Sequence, residues 1–157
     1  MKEIPLTQGK FALVDDEDFD RINQWKWCYR QGYAIRGVNL GKRKVKTIQM
    51  HTLIIGTPKG MTTDHINGNK IDNRRSNLRI CTQKQNTKNR QVSKKIVKSS
   101  TYKGVSWHKQ NKKWQANIKV NYHHIYLGTF KTENEAARAY DTAATKHFGE
   151  FARLNAA

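Results

Sequence analysis

The order of apolar and polar positions along the chain predicts a run of short strands broken by four helices. Residues 10–14 (Lys-Phe-Ala-Leu-Val) form a short apolar run, and Asp15-Asp16 then opens a segment over 17–23 in which Phe19 and Ile22 share one helical face. Residues 25–30 and 33–36 alternate aromatic and basic side chains at period two and are joined by Gln31-Gly32, which predicts a β-hairpin. Trp25 and Trp27 belong to core and sheet packing in this reading. A basic loop, Gly41-Lys42-Arg43-Lys44, leads to a strand over 45–49, and the apolar stretch 50–55 is a short helix stopped by Gly56 and Pro58. Residues 61–63 enter a strand, Asn67-Gly68-Asn69 turns, 72–77 is a polar loop, 78–82 returns as a strand, and Thr82 caps a helix from 83 to about 90. That unit is strand, loop, strand, helix.

The pattern changes at 91–100, which is basic, Ser-rich and without a clear period, and is expected to be a linker able to lie along a phosphate backbone. Beyond it, 103–108, 114–120 and 124–130 predict three strands. Thr132-Glu133-Asn134-Glu135 is a capping box, and the helix behind it presents Ala136, Ala137, Ala139, Tyr140, Ala143 and Ala144 as one small-residue face before Gly149 ends it. The expected class is α+β. A β-rich N-terminal domain over 1–90 is followed by the linker 91–100 and by a small three-stranded antiparallel sheet packed on one helix over 101–157.

Composition adds a partner. The 157 residues hold 30 Lys and Arg against 12 Asp and Glu, a net charge of +18. No folded core requires that excess, and it favours a polyanion by counterion release. An anionic membrane surface would call for a long basic amphipathic helix or a lipidation signal. Neither is present, nor is an apolar run near 20 residues or an apolar secretory segment behind Met1. The expected setting is therefore the cytoplasm. Cys28 and Cys81 form no CxxC pair, so they read as buried or half-buried thiols and no structural zinc is expected.

The densest chemistry lies in Thr63-Asp64-His65-Ile66-Asn67-Gly68-Asn69, Asp72-Asn73-Arg74-Arg75-Ser76-Asn77-Leu78-Arg79 and Gln83-Lys84-Gln85-Asn86. Phosphodiester hydrolysis is assisted by a divalent cation on hard oxygen ligands and by a neutral imidazole that takes a proton from water. Asp64 and His65 are adjacent, so on a flat strand they point to opposite faces, and a twist or bulge is expected if both reach one phosphate. Asn73 and Arg74 have two readings, loop hydrogen bonding and phosphate contact. His51 likewise either packs beside the site or binds phosphate or supports a metal. Lys70, Arg75 and Arg79 read as a solvated basic face lying beside DNA.

The stretch from Asp64 to Asn86 resembles the HNH, or ββα-metal, endonuclease motif, and most closely the HNN variant of phage and intron homing endonucleases. The resemblance extends over residues 4–90. It implies that His65 is the general base, that Asp64 is a metal ligand, that Asn77 shapes the loop through side-chain-to-backbone hydrogen bonds, and that Asn86 is the second protein ligand, with Asn89 as the alternative. Where many members have histidine near Asn86 this chain has an amide, whose harder oxygen points to one Mg²⁺ or Mn²⁺ ion.

Residues 102–155 resemble the plant ethylene-response-factor (Apetala-two) DNA-binding domain, through Lys103-Gly104-Val105, Trp114-Gln115-Ala116-Asn117-Ile118, Leu127-Gly128-Thr129-Phe130, the stretch from Ala136 to Asp141 and Asn155. By that resemblance the sheet enters the major groove of double-stranded DNA, with Lys103, Ser106, Trp107, Trp114, Asn117, Lys119 and Tyr126 among the contacting residues. Ser106 and Asn117 stand where plant members often carry arginine and glutamate, so their base preference does not transfer. Period-two alternation puts Trp114 opposite Asn117, and core packing is its competing role. The chain reads as a site-specific homing-type DNA endonuclease, with a non-catalytic DNA-binding regulator as the alternative. One site per chain predicts nicking by a monomer, and a double-strand cut requires a dimer or two successive nicks.

Overall fold

A computed structural model describes residues 1–90 and 99–155. The chain forms two compact units, Met1–Asn86 and Thr87–Ala157. The linker expected at 91–100 falls, for residues 91–98, outside the described residues. Ser99 and Ser100 belong to the second unit instead. Ser99 Oγ accepts from the Trp107 amide at 2.9 Å, and Ser100 Oγ donates to Glu133 at 2.5 Å.

In the first unit β1 (Lys2–Pro5) and β2 (Phe11–Val14) form an antiparallel pair, in keeping with a mostly strand reading of residues 1 to about 50. Helix α1 (Asp16–Asn23) follows. Asp15 precedes it without capping it by its side chain, because that carboxylate accepts from the Arg75 amide at 2.7 Å. A meander of β3 (Cys28–Arg30), β4 (Tyr33–Asn39) and β5 (Val45–Gln49) comes next, its first turn built on Gln31 at φ 52° and Gly32 at φ 88°. The ladder begins at Cys28, since Trp27 turns into the core and its indole donates to the Ile22 carbonyl at 2.9 Å. Arg36 lies 4.0 Å over the Trp25 ring. Helix α2 (Met50–Ile55) ends on Gly56 in the left-handed conformation. The unit closes with the ribbon of β6 (Thr62–His65) and β7 (Leu78–Cys81) and the short helix α3 (Gln83–Asn86); the α-helix does not continue to 90, and the second unit opens with a single tighter turn over Thr87–Asn89. Ile4, Ala12, Val14, Ile22, Trp27, Ala34, Met50, Ile54 and Leu78 make one core beneath these elements. Cys81 is buried, but Cys28 is exposed at the start of β3, contrary to the expectation of two enclosed thiols.

In the second unit β8 (Val105–His108), β9 (Lys113–Val120) and β10 (His123–Phe130) pair antiparallel in the order β10-β9-β8, and α4 (Glu133–Phe148) covers one face. Thr132 and Glu135 form the reciprocal capping box. The small face of α4 lets the helix lie close: Ala136, Ala137, Tyr140 and Ala144 are buried with Val105, Ala116 and Ile118. The fold is thus α+β in both units. No helix among the described residues is long and apolar enough to cross a membrane.

Candidate functional site

The β6–β7 ladder is regular through its last pair. Asp64 stands opposite Arg79 and His65 opposite Leu78, with no bulge between them. The two residues therefore occupy opposite faces of the ribbon, as a flat strand requires, and the expected distortion is absent. On one face Arg79 donates to Asp64 Oδ2 from Nε at 3.0 Å and Nη2 at 2.7 Å. Arg79 is therefore largely enclosed in an ion pair and is not part of a solvated basic face. His65 closes the paired segment, so the end of the ribbon is where the two faces meet.

The loop that follows is held by its own amides. Asn67 Oδ1 accepts from the Asn69 amide at 2.7 Å, an Asx turn, while the Gly68 amide donates to the His65 carbonyl at 2.9 Å. Asn77 spans the loop: its Oδ1 accepts from the Asn67 amide at 2.9 Å and its Nδ2 donates to the Asp72 carbonyl at 2.8 Å. Arg74 forks onto the Asp72 carboxylate with two 2.7 Å bonds and holds that carboxyl below its usual range. Arg75 pairs with Asp18 in the same way, at 2.7 and 2.9 Å. The loop is stitched to β2, where Leu13 donates to the Ile71 carbonyl and accepts from the Asn73 amide, both at 2.8 Å.

That stitch places Asn73 behind His65. Asn73 is 1 % exposed, so its side chain lies inside the fold. Its Oδ1 lies 3.0 Å from His65 Nε2, and its Nδ2 donates to Met50 Sδ at 3.3 Å. A carboxamide oxygen only accepts, so Nε2 carries the proton and the neutral ring accepts at Nδ1. Burial lowers the His65 pKa, opposed by the Asn73 bond and by Asp64 and Asp72, which keeps the imidazole neutral near pH 7. His51 from α2 meets His65 edge to face with ring centres 4.8 Å apart. Tyr33 flanks both rings, at 5.4 Å from His51 and 6.2 Å from His65, and Lys70 Nζ lies 4.2 Å over Tyr33. Burial, with His65 adding to it, pushes the His51 pKa down to about 3.

Helix α3 carries Asn86 and packs on β6. It starts at a second capping box, in which Gln85 Oε1 accepts from the Thr82 amide and hydroxyl, both at 2.8 Å. Asn89, in the turn that follows, is buried. No cluster of three His, Cys, Asp or Glu residues suited to a metal occurs among the described residues. A carboxylate and an amide oxygen are nonetheless a fitting set for a hard cation that completes its shell with water and substrate phosphate. The Asp64 carboxylate would share its charge between such a cation and Arg79.

In the second unit the register sorts the expected contact residues by face. Ser106 pairs with Gln115 and Tyr126 with Asn117, and Lys119 lies two residues along from Asn117, so these outward residues share the side away from α4. Trp107 pairs with Trp114, their rings 5.1 Å apart, on the same side as Val105 and Ala116. The irregularity in this sheet lies in β10 between Tyr126 and Gly128, and β9 is regular around Trp114, so the two tryptophans stay on the helix side of the sheet. Trp107 is 38 % exposed at that edge. Lys103 is half-buried, its backbone clamped by Asn155, which accepts from the Lys103 amide at 2.6 Å and donates to its carbonyl at 3.0 Å. Burial, aided by Arg153 and Lys88, lowers its amino group to about 8.

Sequence reasoning missed the supporting residues of the first site: Arg79 under Asp64, Met50 under Asn73, and Tyr33 beside the imidazoles. The Asp64–Arg79 pairing was available from strand register across the loop, whereas the other two contacts come from tertiary packing.

A model described as HNH endonuclease matches residues 55–88, and a model of the AP2 domain matches residues 100–150. An uncharacterised HNH endonuclease of Acanthamoeba polyphaga mimivirus is 33% identical over 151 residues, covering 94% of this chain and 76% of that protein. Two AP2-like ethylene-responsive transcription factors of Arabidopsis thaliana, PLT2 and ANT, are 51% identical over 53 residues and 48% identical over 59. These matches take in 32% and 36% of this chain but only 9% and 11% of the plant proteins.

Proposed function

The chain belongs to the HNH endonuclease family and carries an AP2 domain, and from that premise we propose that it is a homing-type DNA endonuclease in which residues 1–90 cut and residues 101–157 hold the target. The observation that carries the reading is the bond between His65 Nε2 and Asn73 Oδ1. It sets the tautomer in which Nδ1 removes a proton from the attacking water, and the buried, neutral ring suits that role. Asp64 and Asn86 would hold a divalent cation, Mg²⁺ or Mn²⁺ by ligand hardness. Such a cation, when bound, neutralises the phosphate and stabilises the leaving oxygen. Asn77 keeps the loop between the strands in the shape that presents His65. Asn73 acts through His65 in this account, and Arg74 through Asp72.

The AP2 domain supplies the target contacts by Ser106, Asn117, Lys119 and Tyr126, with Lys103 beside that surface, while Trp107 and Trp114 brace the sheet from its helix side. Joining a reader to a cutter raises the effective concentration of the site without new contacts. One site per chain makes the first product a nick by a monomer. Viral or phage-infected cytoplasm is the setting that fits the mimivirus relative.

The test is incubation of the full chain with supercoiled plasmid and with mixed genomic duplex, in Mg²⁺, Mn²⁺ or EDTA. Relaxation in either metal and none in EDTA is expected. DNA binding with no cleavage of any substrate in either metal would favour a non-catalytic regulator.

A further inference from the structure

Helix α2 brings a second imidazole to the cutting site, and no hydrogen bond from a described residue reaches it. His51 is 4 % exposed, its Nδ1 is enclosed without a partner, and its neighbours are the rings of His65 and Tyr33. A neutral imidazole always has one N–H to donate and one lone pair to fill. Leaving a buried polar group unmatched is costly, and an orphaned N–H is rarer than an orphaned acceptor. The proton is therefore best placed on Nε2, which leaves the enclosed Nδ1 with a lone pair. A ring whose pKa is about 3 is a poor proton acceptor, so His51 cannot serve as a second base beside His65. Donation is the chemistry left to it.

We propose that His51 holds the scissile phosphate: its Nε2–H donates to a non-bridging oxygen of the DNA phosphodiester seated at His65. Three observations converge on this reading. The ring centre lies 4.8 Å from that of the proposed base, so a group bound by one is within reach of the other. The ring belongs to a cluster whose outer member, Lys70, sets a cation over Tyr33 at 4.2 Å, which suits an anionic ligand. A neutral donor also leaves the lone pair of His65 available, whereas a second imidazolium would repel the proton His65 must take up. The inference rests on the endonuclease reading and adds a substrate-binding residue to it.

The test separates the ring from its nitrogen. His51→Phe keeps an aromatic wall against His65 without a donor, His51→Gln places an amide N–H near the position of Nε2, and His51→Asn places one near Nδ1. Each full-length variant is titrated with a short mixed-sequence duplex in EDTA, and the wild-type imidazole nitrogens are followed by ¹⁵N NMR in the same titration. The expected result is a shift of the His51 Nε2 resonance on adding DNA. Affinity, or nicking in Mg²⁺, should fall roughly tenfold in the Phe and Asn variants, the scale of one hydrogen bond to a charged group. His51→Gln should keep most of it. Bound DNA with an unmoved His51 resonance, or a Phe variant equal to wild type, overturns the inference and leaves the endonuclease reading standing. A shifted resonance in a protein that never cuts retains the phosphate contact and removes the catalytic reading.

Discussion

The two units use polar side chains in opposite ways. In the first, Asp64, His65, Asp72, Asn73 and Asn77 are all buried, and most of their bonds run to one another or to the loop they shape. In the second, Ser106, Asn117, Lys119 and Tyr126 lie along the uncovered side of a sheet whose other side packs on α4. Bond making requires groups fixed before the substrate arrives, and a buried network supplies that fixity. Reading DNA requires side chains still available to bases and phosphates. Damage should therefore spread through the first site and stay local on the second surface.

The largest effect expected lies in the scaffold of the second unit. Gly104 has φ +76°, and a Cβ there would run into the Tyr140 ring and come within 2.6 Å of the Asn117 carbonyl. Gly104→Ala should destabilise this unit by about 3 kcal/mol or more. Chemical denaturation followed by probes in each unit should show the loss in the second alone, and a matching loss in the first would break the separation of the two. Next is Asn73→Ala, which releases His65 from its tautomer. Nicking should fall by about 10²-fold while duplex affinity holds, as for loss of a residue that orients a reactive group. Equal losses in cleavage and affinity would instead make Asn73 a DNA contact.

Two buried groups, His51 in the first unit and Tyr140 in the second, act at opposite ends of the pH scale. The folded pKa of His51 is lowered to about 3, and Asp18 and Asp72 are lowered as well. The unfolded chain then binds more protons below about pH 6.5, so the first unit loses stability steadily as pH falls through that point and toward 3. Tyr140 is raised to about 12 by burial, so the unfolded chain releases its proton first and the second unit loses stability as pH rises above 10. Thermal melts at pH 4.5 and pH 11 (about two units below the free imidazole value and about one above the free tyrosine value) read the two limbs, and His51→Phe should flatten the acid one. The smallest effect belongs to the exposed surface. Lys119→Ala should weaken duplex binding a few-fold, lower the salt dependence by about one counterion, and leave both melts unchanged.

Much of this was legible in the chain. The three strands and single helix of the second unit follow from period-two alternation, the Thr132 capping box and the alanine face, because a small sheet-on-helix layer leaves little freedom for other packings. The strand-loop-strand of the first site followed from Asn-Gly turn chemistry and spaced asparagines. What the sequence hid is what depends on pairing between distant segments. The strand reading of residues 1 to about 50 covers β1, but its pairing with β2 is not in the pattern. Arg75 and Arg79 looked like surface charge, yet their partners, Asp18 and Asp64, lie 57 and 15 residues away. The resemblance placed Trp107 and Trp114 among the DNA contacts, while period-two alternation already set Trp114 on the face opposite Asn117, and register puts both on the side that carries the helix.

The most direct measurement is single-turnover nicking of supercoiled plasmid by the wild-type chain and by His65→Ala, with duplex affinity measured on the same preparations. The account predicts equal affinity and a loss of roughly 10²–10⁴-fold in the variant, the contribution of one general base. A His65→Ala protein that binds and nicks like the wild type would contradict it.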